Sequence, residues 1–424
     1  MCRANITHQL RHACCHLLGG IASIGTASAN EWYVDMGLMN YIEQDRNTGI
    51  EYLLNAQRQL DNEDTLVLQA EFDVITGATP NGASASNVVQ TFTMASGNGS
   101  YNVDANTLPA DDTHMDTRIA FSLGYDDKAS DTLQLNYSSH ISMEFDYLSL
   151  GAGFSLIKDI NQHNTQLLFS TDFEYNRVHP VGNVPTAFAS MQPVGDFQPR
   201  EEASVSRRQH GISLGLNQIL SRHSLMQLKY AYAEASGYLT DPYKILSIVD
   251  DVSTTQPGAT LDYVYEHRPR QRQIESIYTA YKTRFGQHTI DLAYRYYWDD
   301  WEIRSSTADL KIRYQLNSPS LFLQPHLRIY QQTSAEFYQH SLKSSEPLAD
   351  YASADLRLAA FDAYTLGIRF GKLLANTMEH SIGVEYYTQR GDSHPQSAIG
   401  LQQQQDLFPD LHTLILTWNY AFYW

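Results

Sequence analysis

Apolar and polar residues alternate one for one along most of this chain, and helical spacing is sustained nowhere. The clearest stretch is 132–145. Leu133, Leu135, Tyr137, Ile141, Met143 and Phe145 share one face, while Thr132, Gln134, Asn136, Ser138, His140 and Glu144 share the other. A period of two is the signature of a strand with unlike surroundings on its two sides. The pattern recurs at Leu66, Leu68, Phe72 and Val74, at Ile290, Leu292, Tyr294, Tyr296 and Trp298, and at Tyr364, Leu366, Ile368 and Phe370. Segments long enough to cross a bilayer, at roughly 9 to 11 residues each, number about sixteen. They begin near 31, 50, 64, 116, 131, 147, 165, 209, 224, 273, 288, 306, 320, 355, 379 and 411.

The connections alternate in length, which tests the segment count independently. Short links fall near 60–63, 126–130, 158–164, 220–223, 284–287, 317–319 and 371–378, and long ones at 76–115, 177–208, 236–272, 333–354 and 390–410. Barrels of the bacterial outer membrane carry short periplasmic turns and long outer loops. The expected fold is therefore all-β, a transmembrane antiparallel up-and-down barrel. Its phase requires short outer links at 43–49, near Asp146 and at 299–305. Pro325 falls inside an expected strand and demands a bulge or a locally broken ladder.

The two ends fit export. Arg3 and Arg11 precede the mildly apolar Leu17–Ile24 stretch, and Ala27-Ser28-Ala29 fits a small-residue cleavage site, so 1–29 reads as a signal peptide and 30–424 as one barrel domain. Cys2, Cys14 and Cys15 all lie inside that leader, which leaves no thiol, disulfide or iron–sulfur chemistry to the mature chain. At the other end Trp424, Phe422, Tyr420 and Trp418 fall on one strand face. A strand ending on an aromatic residue resembles the signal read by the barrel-assembly machinery.

Composition narrows the function. Twelve per cent of the 424 residues are aromatic and 18% charged, which suits strands apolar on one face only. The 29 Lys and Arg against 47 Asp and Glu give a net charge of −18, the wrong sign for gripping phosphates, so nucleic acid is not an expected partner. Motifs for a P-loop, a nucleophile elbow, a zinc protease and a dinucleotide fold are absent, and the histidines are scattered. No enzyme, cofactor or metal is expected. Three arginines, Arg268, Arg270 and Arg272, stand close together in this acidic chain, with Asp299, Asp300 and Glu302 in the next outer connection. Guanidinium groups bind carboxylates or phosphates bidentately, so these six residues are the candidate constriction of a lumen or a site for an anionic solute or lipopolysaccharide. Pairing of the arginines with that acidic segment is the alternative.

The segments Thr76–Ala83, Gln90–Thr93, Asp116–Arg118, Glu144–Tyr147, Ser236–Lys244, Glu266–Pro269 and Tyr351–Asp355 resemble those of a family of Gram-negative outer-membrane barrels described only as a domain of unknown function. The resemblance runs over nearly the whole mature chain. It implies an exported barrel in the outer membrane, in contact with its lipid and lipopolysaccharide, and a link to periplasmic redox or flavin maturation. Two functions stay open: a channel or transport-related scaffold for small solutes, or a plugged barrel that serves as a platform for a redox-related periplasmic or surface partner. A continuous polar passage would favour the first and a blocked lumen the second.

Overall fold

The computed structural model describes residues 32–60, 63–316, 320–374 and 378–423. The expected signal peptide, 1–29, and Trp424 lie outside the described residues. The strands in chain order are β1 (Trp32–Glu43), β2 (Asn47–Gln59), β3 (Thr65–Pro80), β4 (Gln90–Thr93), β5 (Ser100–Val103), β6 (Ala110–Ser130), β7 (Leu133–Met143), β8 (Tyr147–Ile160), β9 (Thr165–Val178), β10 (Val205–Ser221), β11 (Ser224–Gly237), β12 (Ile245–Val249), β13 (Thr260–Tyr265), β14 (Gln271–Phe285), β15 (His288–Asp299), β16 (Arg304–Gln315), β17 (Leu321–Gln332), β18 (Leu342–Lys343), β19 (Phe361–Leu373), β20 (Glu379–Gly391) and β21 (Leu411–Tyr423).

Sixteen of these close one antiparallel barrel, each paired with its neighbour in the chain. The ring shuts where β21 pairs with β1, with Tyr33 opposite Tyr423 and Ile42 opposite Leu414. Closure removes both free edges, which no spanning sheet can leave exposed to hydrocarbon. All sixteen expected segments overlap barrel strands, but the one expected from near 355 begins only at Phe361, because 355–360 turns through a short 3-10 helix, Leu356–Leu358, in the outer loop. The three short outer links that the phase demanded are there, at 44–46, 144–146 and 300–303. Asp45 in the first and Glu302 in the third take positive φ, at 55° and 66°, to turn the chain that tightly. Pro325 breaks its ladder without a bulge: β16 and β17 pair up to Lys311–His326 and resume at Tyr314–Leu323 in the same register.

The outward face is apolar. Leu366, Ile382, Leu292, Leu214 and Phe121 are each about half exposed or more, as side chains meant for lipid must be in a single chain. Aromatic pairs mark both margins of this belt. His288 stacks on Tyr314 at 4.2 Å and Trp418 on Tyr420 at 6.2 Å on the short-turn side, and Tyr296 meets Trp298 at 5.6 Å on the long-loop side. Amphipathic rings settle at such interfaces. Trp418, Tyr420 and Phe422 of the expected assembly signal lie on this outward face of β21.

Candidate functional site

Five long outer loops (81–109, 179–204, 238–270, 333–360 and 392–410) fold into a roof. β12, β13 and β18 form one small sheet there and β4 with β5 another. Apolar side chains hold the pieces together. Ala83, Phe92, Val103, Ile245 and Tyr265 make one core cluster, and Leu246, Val264, Leu342, Ala352 and Ala354 a second. Each cluster draws on loops that leave the barrel at different places. Close backbone approach is needed as well. Gly182 has φ +76°, and a β-carbon on it would fall 1.9 Å from the Ala95 carbonyl oxygen, so only glycine allows the 179–204 loop to lie on the 81–109 loop.

These contacts bridge the mouth. Leu401 N–H donates to the Pro257 carbonyl at 2.8 Å, yet six barrel strands separate the bases of those two loops on either path's shorter side. Gln405 Nε2 donates to Asn106 Oδ1 at 2.8 Å and Ser84 Oγ to the His340 carbonyl at 2.5 Å. Loops rooted that far apart around a ring of sixteen meet only by crossing over its opening.

Within the roof lies a set of six charges, five of them buried and the sixth, Arg357, partly exposed. Arg268 Nε is 2.6 Å from Glu266 Oε1 and its Nη2 is 2.8 Å from Asp355 Oδ2. Arg357 Nη2 is 2.7 Å from Asp241 Oδ2 and also bonds Asp355. Lys244 donates to the Pro80 carbonyl, tying the clasp to the end of β3. Three cations and three carboxylates balance, which is the condition for burying charge at tolerable cost. Burial pushes the Asp355 carboxyl up, but Arg357, Arg268 and Lys244 outweigh it and hold it well below the usual range. Asp241 is likewise penalised by burial and still lowered to about 2, chiefly by Arg357 and Lys244. Glu266 goes the other way: burial, with Asp241 and Asp355 nearby, raises it despite Arg268.

The six residues singled out as a constriction separate into three settings. Arg268 belongs to the clasp and is 7% exposed. Arg272 pairs with Asp299 at 2.5 Å and lies 4.3 Å over the Trp301 ring, whose Nε1–H donates to the Gln271 carbonyl. That pair realises the arginine–acid alternative at the rim. Arg270, Asp300 and Glu302 are exposed, although Asp300 Oδ1 accepts from Gln273 N–H at 2.9 Å. The partners Asp241, Lys244, Asp355 and Arg357 were not legible as a site, because charges 116 positions apart carry no spacing signal. One trace was visible. The segments on which the family resemblance rests meet in the roof: Gly82 packs on Ile245, Asp146 accepts from the Tyr243 hydroxyl, and Asp241, Lys244, Glu266, Arg268, Ser353 and Asp355 supply most of the clasp.

Below the roof the inward faces are polar and the side chains lie along the wall. The His140 ring covers Gly151, Asp172 covers Gly211, Glu385 covers Gly367 and Phe322 covers Gly371, each so closely that a β-carbon would collide within 2.7 Å. Arg313 sits 3.5 Å over the Phe322 ring and 3.1 Å from Glu379. His326 spans two carboxylates, Nδ1 at 2.7 Å from Glu385 and Nε2 at 3.1 Å from Asp309. Sixteen strands enclose more width than side chains fill, and here the glycines let those side chains lie flat.

A closed ring with an apolar belt, aromatic margins, a polar lumen and loops gathered at one mouth defines an integral β-barrel of the outer membrane, in contact with its lipid. The chain belongs to the family described as protein of unknown function (DUF3570), whose model matches residues 7–422. No curated protein matches it in sequence. Among solved structures it is similar to the ferric enterobactin receptor PfeA of Pseudomonas aeruginosa, at 10% identity and a TM-score of 0.43, covering 89% of this chain and 57% of that one. It is similar also to CdiB of Acinetobacter baumannii, at 10% and 0.44, with 92% and 60% covered, and to the outer-membrane protein OpdK of Pseudomonas aeruginosa, at 10% and 0.39, with 93% and 99% covered. The chain thus spans under two thirds of the receptor's length. Likeness this distant transfers neither cargo nor partner.

Proposed function

We propose that this barrel is a transport-related conduit for small solutes whose outer mouth is closed at rest by its own loops. The observation that carries the reading is the combination of a polar wall, with side chains lying flat on glycines, and a separate roof joined across the mouth. A barrel filled by its own side chains would need no lid. Arg268 then serves the closed state rather than lining the passage, while Arg270, Asp300 and Glu302, exposed near the rim, are the groups a passing ion would meet. In this reading the protein does no covalent chemistry and binds no cofactor. Lipopolysaccharide would surround its loop-side margin, and the barrel-assembly machinery would read the aromatic β21.

Single-channel recording in planar bilayers tests this. The full chain is expected to be silent or to open briefly, Arg268→Gln to open in sustained steps, and Arg270→Gln to stay as closed as the full chain. The clasp also favours a second reading, in which the roof never opens and forms the platform for a redox-related periplasmic or surface partner. Silence in Arg268→Gln, with the barrel folded by heat-modifiable gel mobility, would reject the conduit and leave the platform.

A further inference from the structure

Charge in the lumen is sorted by side. Strand alternation, fixed by the exposed apolar residues, places Asp35, Glu51, Glu71, Asp73, Asp172 and Glu174 on the inward faces of β1 to β9. Arg118, held between Glu71 and Asp73 at 2.8 and 2.7 Å, is the sole guanidinium facing inward among the described residues of those strands. The inward faces of β10 to β19 present Arg207, Lys229, Arg295, Lys311, Arg313 and Arg328. Carboxylates do occur on that side, but each is met by cations. Asp309 takes Arg328 at 2.7 Å with His326 and Lys311 beside it, and Asp291 takes Lys282 at 3.2 Å. Each group of strands covers seven of the sixteen positions in the ring. In a closed cylinder two such arcs face one another across the bore.

Opposed walls of unlike sign, backed by a low-dielectric belt, set up a field across the passage rather than along it. Such a field does little for a small ion of either sign beyond drawing it to one wall. It orients a solute that carries both charges and meets each end with its complement. Its neutral analogue gains nothing. We infer that the conduit's cargo class is dipolar: small zwitterionic solutes with separated ammonium and carboxylate groups. This inference rests on the transport reading above and adds a substrate class to it.

The test is swelling of phosphatidylcholine vesicles carrying the Arg268→Gln protein, in isosmotic glycylglycine or in N-acetylglycinamide, an uncharged molecule of similar size. Glycylglycine should enter about threefold faster. The further change K229Q with R295Q should bring the two rates together, and K229R with R295K should restore the preference. Equal rates through the unaltered walls would overturn the inference while leaving the conduit intact. No swelling with either solute, from a barrel shown folded by gel mobility, would overturn the conduit and the dipolar cargo with it.

Discussion

Asp355→Asn is expected to unfasten the roof while leaving the barrel standing. The carboxylate is 3% exposed and faces Arg268 and Arg357, and removing one member of a buried ion set leaves uncompensated charge at a cost of about 3 to 5 kcal/mol. Against a local opening free energy of similar size, amides of β12, β13 and β18 should lose their exchange protection, and the exposed 193–197 turn should become a cleavage site. Barrel-strand amides and heat-modifiable mobility should not change. A cycle with Arg268→Gln should show strong coupling, the double variant costing well under the sum of the single changes. Equal loss of protection in barrel and roof would show that they unfold together and that the clasp has no separate role.

The clasp also sets a pH window. Asp241 and Asp355 are depressed in the folded roof, so their contribution is full above the ordinary carboxylate range near about 4 and is lost as pH falls through their folded values. Glu266 is raised, so its contribution runs oppositely and declines as pH rises through its folded value. Roof protection should therefore collapse in strong acid, as Asp241 and Asp355 take up protons, while ionisation of Glu266 subtracts from it as pH rises through that group's raised value. Exchange protection measured across that range checks the sign.

The second large effect belongs to the belt. Leu366 is 67% exposed in the middle of β19, between Leu327 and Tyr386. An arginine at the lipid midplane of such a barrel costs about 2 to 4 kcal/mol. Leu366→Arg should lower the urea midpoint of refolding into vesicles accordingly. Asn55→Arg, on the inward face of β2 opposite Asp35, should stay within about 0.5 kcal/mol of the parent. A reversed order would mean that the inward and outward faces have been exchanged.

Nearly all of the barrel was legible because its physics is local. A strand between lipid and water must alternate, and Leu133 to Met143 does so whatever else the chain contains. Turns at Phe285-Gly286-Gln287 and the broken ladder at Pro325 follow from single-residue backbone rules. The roof obeys no such period. β12 pairs with β13 in the ordinary hairpin manner but with β18 in parallel, joining Ile248 to Leu342, and no alternation announces a partner nearly a hundred residues away. The arginine cluster was visible, yet its division among clasp, rim and solvent depended on loop paths that only three-dimensional contacts define. The inward charges were visible too, but their sorting into two arcs appears only once the strands are closed into a ring.

The clasp has a consequence for the order in which the molecule is made. Asp241 meets Arg357 across 116 positions, with four barrel strands threaded between them. Those partners cannot be brought together until the intervening hairpins have been placed, and closing so long a loop is slow compared with zipping neighbouring strands. Insertion would then yield first a barrel with its outer segments splayed, and only afterwards a sealed one. On the conduit reading, a newly made molecule would pass through an unlidded state, and its length would be set by how fast those charges find one another in water.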